Sequence, residues 1–242
     1  MKKSIISTGF PITQSVVEGI QEGNIYETGD ALFVLHKAGF ASLINEEKCD
    51  VEELIDLFKS HNIPSYFHIY NVPDTFINKI LERTDLFNTK IRKRFVLQYE
   101  GTEKLSYSVP EGYNLTPVSK TNFEKLKELP LGLENKFWKG SDDFVKNALA
   151  FAIFNQAMQA VCICYSAATC NGLAEVDIWT EEKHRGKGLG KIIAAAFINQ
   201  CLQLNLIPNW DCFEENIASL NTARNLGFKL ISQYKLISIF KK

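Results

Sequence analysis

The hydrophobic period changes once, sharply, between Ala174 and Phe197. Glu175, Asp177 and Trp179 alternate with Val176 and Ile178, the period of two that a strand requires. Leu189, Ile192, Ile193, Ala196 and Phe197 then recur at helical spacing, and Arg185, Gly186, Lys187, Gly188, Leu189 and Gly190 lie at the change. The pattern predicts a strand, a glycine-rich bend and a long helix to about Asn205, before Pro208, which cannot continue it. Upstream, residues 31–35, 39–44, 64–70 and 91–99 read as strands. Asp50 with Glu53 reads as a capping box opening a helix through Leu54, Ile55 and Phe58. Pro73 and Asp74 open another through Ile77 and Leu81. Pro110, Glu111 and Gly112 supply turn chemistry at a join near 101–112. Beyond it the pattern predicts a strand over 113–118, helices over 123–129 and 141–147 (capped by Ser141 or Asp142), and buried strands over 148–154 and 159–168 joined at Asn155-Gln156. A strand over 209–213, a helix capped by Asn216 and closed by Gly227, and a strand over 234–240 complete the chain.

Composition narrows the classes. The 242 residues allow one large domain or two modest ones, and 45% apolar content suffices for a core. A net charge of −1 argues against a general binder of nucleic acid or anionic membrane. The run 90–94, with Lys90, Arg92, Lys93 and Arg94, reads as a solvated strand end. No stretch has the apolar length of a membrane span, and the opening residues lack the apolar core of a secretory leader, so the expected setting is cytoplasmic. Of the six cysteines, Cys162, Cys164, Cys201 and Cys212 sit in apolar segments, where a reduced thiol serves as a small core residue. Cys162-x-Cys164 lacks metal spacing, and no metal site is expected. His36, His61 and His68 are isolated and read as surface or hydrogen-bonded residues.

The bend carries the chemistry. Main-chain amides at a helix N-terminus have no partner in the helix, and the positive end of its dipole points the same way, so the bend is a ready anion site. Glycines let an anion approach the backbone and adopt positive φ at little cost. Two phosphate loops fail here: Gly190-Lys191 is followed by Ile192 rather than Ser or Thr, and Lys191 stands where the dinucleotide fingerprint needs its third glycine.

Arg-x-x-Gly-x-Gly at Arg185, Gly188 and Gly190, between a strand and a long helix and followed by Asn216-x-x-Ser219 and Leu226-Gly227-Phe228, resembles the pyrophosphate signature of the GCN5-related N-acetyltransferases, the GNAT superfamily. Val109–Tyr113, Pro208–Cys212 and the segment 216–228 most resemble its zwittermicin-resistance-like branch. The resemblance implies an α+β fold, a central mixed and mostly antiparallel sheet flanked by helices, over residues 109–242. It also implies an N-terminal α/β accessory domain over 1–108. It implies acetyl-CoA as donor and a primary amine of a small molecule as acceptor, an antibiotic or a metabolite, without nucleic acid or membrane as partner; a homodimer is compatible with it. The other readings are a non-catalytic acyl-CoA-binding protein and a protein N-acetyltransferase. By the same resemblance, Ile178 and Thr180 offer backbone groups to pantetheine. Arg185, Gly186, Lys187, Gly188, Leu189 and Gly190 hold the diphosphate, and Asn216 touches the pantetheine arm. Glu175 stands at the general-base position, with Asp177 and Asp211 as runners-up. Ala223 occupies the usual position of the general-acid tyrosine, leaving water or another group, with Tyr165, Cys212 and Tyr234 as candidates.

Overall fold

A computed structural model of the chain describes residues 6–242. Residues 1–5, the start of the segment tested above for a leader, lie outside the described residues. The elements run α1 (Pro11–Val17), β1 (Gly23–Thr28), β2 (Ala31–His36), β3 (Phe40–Ile44), α2 (Val51–Lys59), β4 (Tyr66–Tyr70), α3 (Asp74–Leu81) and β5 (Phe87–Gln98). They continue with β6 (Tyr113–Pro117), α4 (Lys120–Phe123), α5 (Leu133–Lys136), α6 (Gly140–Asn147), β7 (Ala150–Asn155), β8 (Ala160–Cys170) and β9 (Leu173–Thr180). The last are α7 (Leu189–Gln203), β10 (Ile207–Phe213), α8 (Ile217–Asn225) and β11 (Lys229–Lys241). Two compact units result: Met1–Arg94 with Gln233–Lys242, and Phe95–Ser232. Among the described residues no helix is long and apolar enough to cross a membrane.

The first unit pairs β1, β2 and β3 antiparallel, β3 with β4 parallel, and β4 with β11 antiparallel. The apolar stripe of α2, Leu54, Ile55 and Phe58, packs with Phe33, Phe67 and Ile69 of the sheet. Removing each such side chain from water contributes about 1.5–3 kcal/mol. Asp50 caps α2 by accepting from the amides of Glu52 and Glu53, both at 3.1 Å. The other half of the expected capping box is absent, because the Glu53 carboxylate accepts instead from the Gly29 amide at 2.8 Å. Helix α1 has no counterpart in the apolar pattern. Its buried residues include Thr13, Gln14 and Ser15, whose polar groups are paired internally: Thr13 with Ser42 at 2.8 Å, and Ser15 with Gln21 at 2.6 Å. Satisfied polar groups can be buried without an apolar period to announce them.

The second unit pairs β6, β7, β8 and β9 antiparallel in turn, and β9 with β10 parallel. β8 and β9 are joined through Asn171 (φ 48°) and Gly172 (φ 73°), both in the left-handed region that a two-residue hairpin turn requires. Helix α7 is buried all round from Ile193 to Ile198, and packs with Cys162, Cys164, Ala174 and Val176 of the sheet. Three of those six positions are alanine, which lets neighbours approach closely. All six cysteines are free thiols, and burial pushes the Cys162 and Cys201 thiols up to about 12. Two helix starts differ from expectation. The helix expected over 123–129 begins at Lys120, where Asn122 Oδ1 accepts from the Ser119 amide at 2.8 Å. Helix α6 begins at Gly140, and its cap is neither Ser141 nor Asp142: Asp143 reaches back to accept from the Lys139 amide at 2.7 Å.

Candidate active site

Strands β9 and β10 part company. Their parallel pairing covers three positions, Leu173 with Ile207, Ala174 with Pro208 and Glu175 with Asn209. β9 nevertheless continues to Thr180 and β10 to Phe213. Beyond the fork, β9 stays paired to β8 as far as Thr180, so its other edge from Val176 onward faces a gap. An extended ligand can complete such an edge as a further strand.

The bend lies at the open end of this fork. Gly186 and Gly188 have φ of 76° and 78°, and no atom lies within 4 Å of where a Cβ would stand on either. Gly188 is the N-cap of α7, and the first main-chain bond of that helix runs from the Ile192 amide to the Gly188 carbonyl at 3.1 Å. The amides of Leu189, Gly190 and Lys191 therefore precede the helical ladder. A cleft of about 520 Å³ joins the bend to the fork. Its walls include Ile178 and Thr180 of β9, Arg185, Gly186, Gly188, Leu189, Gly190 and Lys191 of the bend, and Asn216, Ser219 and Thr222 at α8.

Eight of the ten residues singled out from sequence thus meet at one cleft; Lys187 and Glu175 are not in its walls. Several are already engaged. Arg185 Nε donates to the Thr180 carbonyl at 3.1 Å, and Thr180 Oγ1 lies 3.1 Å from Cys162 Sγ. Asn216 caps α8 by accepting from the Ser219 amide at 3.1 Å. Lys187 donates to Tyr113 Oη at 2.9 Å. Glu175 is 6% exposed and occupies the fork itself, accepting from Asn209 Nδ2 at 2.5 Å, while Asn209 Oδ1 accepts from Gln98 Nε2 at 3.0 Å. Asp177, on the same strand face, accepts from both Tyr165 Oη at 2.7 Å and Lys136 Nζ at 2.9 Å. Burial and the neighbouring Asp177 carboxylate push the Tyr165 phenol well above its ordinary range. Cys212 is buried, and Tyr234 belongs to the first unit, against Phe10 and Tyr70.

Sequence reasoning missed Trp210 and Ser219. Ser219 Oγ accepts from Trp210 Nε1 at 2.9 Å, and both residues line the cleft. No local spacing announces this pair. Ala223, one turn along α8, is wholly buried.

A family model described as GNAT acetyltransferase matches residues 12–237. The chain belongs to the GNAT acetyltransferase family. The match spans both units. The chain is 27% identical over 172 residues to a Bacillus subtilis (strain 168) protein described as the uncharacterized N-acetyltransferase YdfB. That alignment covers 70% of this chain and 65% of YdfB, just under two thirds of its length. Among solved structures, a GCN5-related N-acetyltransferase-like protein from Streptococcus suis 89/1591 is similar with TM-score 0.74 and 21% identity, covering 96% of this chain and 92% of that one. A GCN5-related N-acetyltransferase from Kribbella flavida gives TM-score 0.64 and 14% identity, covering 95% and 94%. At these identities the structural likenesses show the fold: a mixed sheet flanked by helices, as in other GNAT chains.

GNAT enzymes generally use acetyl-CoA, and the residues at this cleft fit it. The positive-φ glycines leave room against the α7 amides for a diphosphate, Arg185 and Lys191 bring charge, and the unpaired β9 edge matches an amide-bearing arm.

Proposed function

We propose that the chain transfers the acetyl group of acetyl-CoA to the primary amine of a small molecule. The observation that carries this reading is the fork: an unpaired strand edge followed, after one short turn at Glu182–His184, by a bend of unpartnered amides at the start of α7. In this reading the β9 backbone from Val176 to Thr180 aligns the pantetheine arm, and the amides of Leu189, Gly190 and Lys191 grip the diphosphate with Arg185 beside them. Bound acetyl-CoA supplies an activated thioester. Amide donors of the splayed strand polarise its carbonyl. Glu175 takes the ammonium proton of the acceptor; because it is buried behind Asn209, a bridging water relays that proton. Ser219, whose oxygen accepts from Trp210, has its own hydroxyl hydrogen to bond the departing thiolate in the cleft, with water as the source of the proton. The transfer site falls within residues 109–242, with 1–108 as an accessory segment. The motifs at Val109–Tyr113 and Pro208–Cys212 support the zwittermicin-resistance-like branch and hence a small acceptor, and the free thiols support a reducing, cytoplasmic setting.

A second reading is favoured by Ala223 and by the burial of Glu175: an acyl-CoA-binding protein without transfer. Mixing the full chain with acetyl-CoA and a broad panel of small amines, and following thiol release, separates the two. Release with a small amine and none with lysine-containing peptides supports the proposal. Tight coenzyme A binding with no release on any amine leaves the second reading, and absence of coenzyme A binding overturns both.

A further inference from the structure

We propose that Tyr113 is a positioning residue for the diphosphate bend, acting through Lys187 and His184. This rests on the reading of that bend as a coenzyme A site. The crest of the bend has little else to hold it. Gly186 and Gly188 flank Lys187, both in the left-handed region and both with open space where a side chain would begin. Glycines in such a segment leave the backbone many alternatives unless a neighbouring side chain restrains it. The restraint comes from β6, 71 residues earlier in the chain. Tyr113 Oη lies 2.8 Å from His184 Nδ1 and accepts from Lys187 Nζ at 2.9 Å.

Donor counting fixes the direction of the lysine bond. Lys187 can only donate, so it occupies the phenol oxygen as an acceptor. His184 Nδ1 shares the same phenol oxygen on its other side. The other ring nitrogen of His184, Nε2, lies 3.5 Å from Glu181 Oε2. The His184 ring stands edge-on to the tyrosine, with centroids 5.7 Å apart, and the lysine ammonium lies 5.5 Å from the tyrosine ring centroid. His184, just before the crest, and Lys187, on it, are therefore both pinned to one phenol. Lys187 is too committed to serve mainly as a phosphate ligand; it holds the crest so that the α7 amides point outward before the cofactor arrives. A site ordered in advance spends less of its binding free energy on ordering.

The test is calorimetric titration of coenzyme A into the full chain and into Tyr113→Phe, Lys187→Met and the double variant. Tyr113→Phe keeps the ring and removes both bonds. Loss of a bond to a charged group is expected to raise Kd about tenfold. In the Lys187→Met background the same change should raise Kd by less than it does in wild type, because only the His184 bond is left to lose. The amide resonances of Gly186 and Gly188 should shift in ligand-free Tyr113→Phe while that of Gly132 stays, with the melting temperature unchanged. Unchanged affinity in Tyr113→Phe, losses that multiply in the double variant, or unmoved bend resonances would each overturn the proposal. Lys187→Met, a surface change at the bend, keeps the test decisive should the tyrosine variant fold poorly: an affinity and bend spectrum equal to wild type would overturn it alone. A wild-type chain that binds no coenzyme A would remove the underlying site reading instead, and with it this role.

Discussion

Replacing Gly188 by alanine probes the proposed diphosphate cradle with little else disturbed. Gly188 is the N-cap of α7 at φ 78°, and a methyl built on it meets no atom within 4 Å. Collision therefore adds nothing in the ligand-free chain. What remains is the cost of holding a Cβ in the left-handed region, about 1–2 kcal/mol. For a chain of this size each kcal/mol lowers the melting temperature by roughly 2–4 °C. The same methyl stands in the space through which a phosphate must reach the amides of Leu189 and Gly190. Losing two charge-assisted bonds there, at about 1.5 kcal/mol each, comes to about 3 kcal/mol, or roughly a hundredfold in Kd. Gly132→Ala is the matched control: an N-cap glycine of α5 at φ 57°, again with no atom within 4 Å of the new methyl. Calorimetric titration with coenzyme A and thermal melts of both variants form the assay. Both variants should melt lower by a similar amount, and only Gly188→Ala should lose affinity. If Gly188→Ala shared the melting loss yet bound coenzyme A as wild type does, the bend would not be the diphosphate cradle.

Glu175→Gln should lower acetyl transfer by about a hundredfold or more while leaving coenzyme A affinity intact, and unchanged turnover would remove Glu175 from the base role. Ser219→Ala should slow thiol release at least about tenfold without weakening cofactor binding; a full rate would remove Ser219 from any part in that step. His36 is wholly buried, with Nδ1 accepting from the Ala38 amide at 3.0 Å, and burial, reinforced by Lys37, lowers its pKa from 6.5 to about 4. The unfolded chain therefore takes up the proton first, so stability is whole above pH 6.5 and is lost as pH falls towards 4, by about 3 kcal/mol at most. Urea midpoints measured between pH 7 and 4.5 should fall more steeply in wild type than in His36→Leu, and parallel profiles would contradict this assignment.

The parts of the fold written in the local sequence are those where period and punctuation agree. Helix α7 and its bend were legible because Ile193, Ala196 and Phe197 keep a helical period and Gly188 marks its start. Asn216 was legible as a cap for the same reason. Helix α1 was hidden because Thr13, Gln14 and Ser15 are buried by pairing and not by apolarity. One signal was present and passed over: Asn171-Gly172, the residue pair that favours a tight hairpin, joins β8 to β9 and so fixes the register of the strand that ends in the bend. The site divides along the same line. The bend half is local, because positive φ follows from two nearby glycines and unpaired amides from the helix start beside them. Its restraining half is not. Asn209 reaches Glu175 across 34 residues and Tyr113 reaches Lys187 across 74, and neither pairing leaves a trace in local spacing. A short glycine-rich loop can advertise a binding chemistry but cannot by itself hold the shape that chemistry needs. The residues that hold it must come from elsewhere in the chain; in the proposed site Tyr113 of β6 reaches the loop, while Asn209 of β10 fixes Glu175 in the fork.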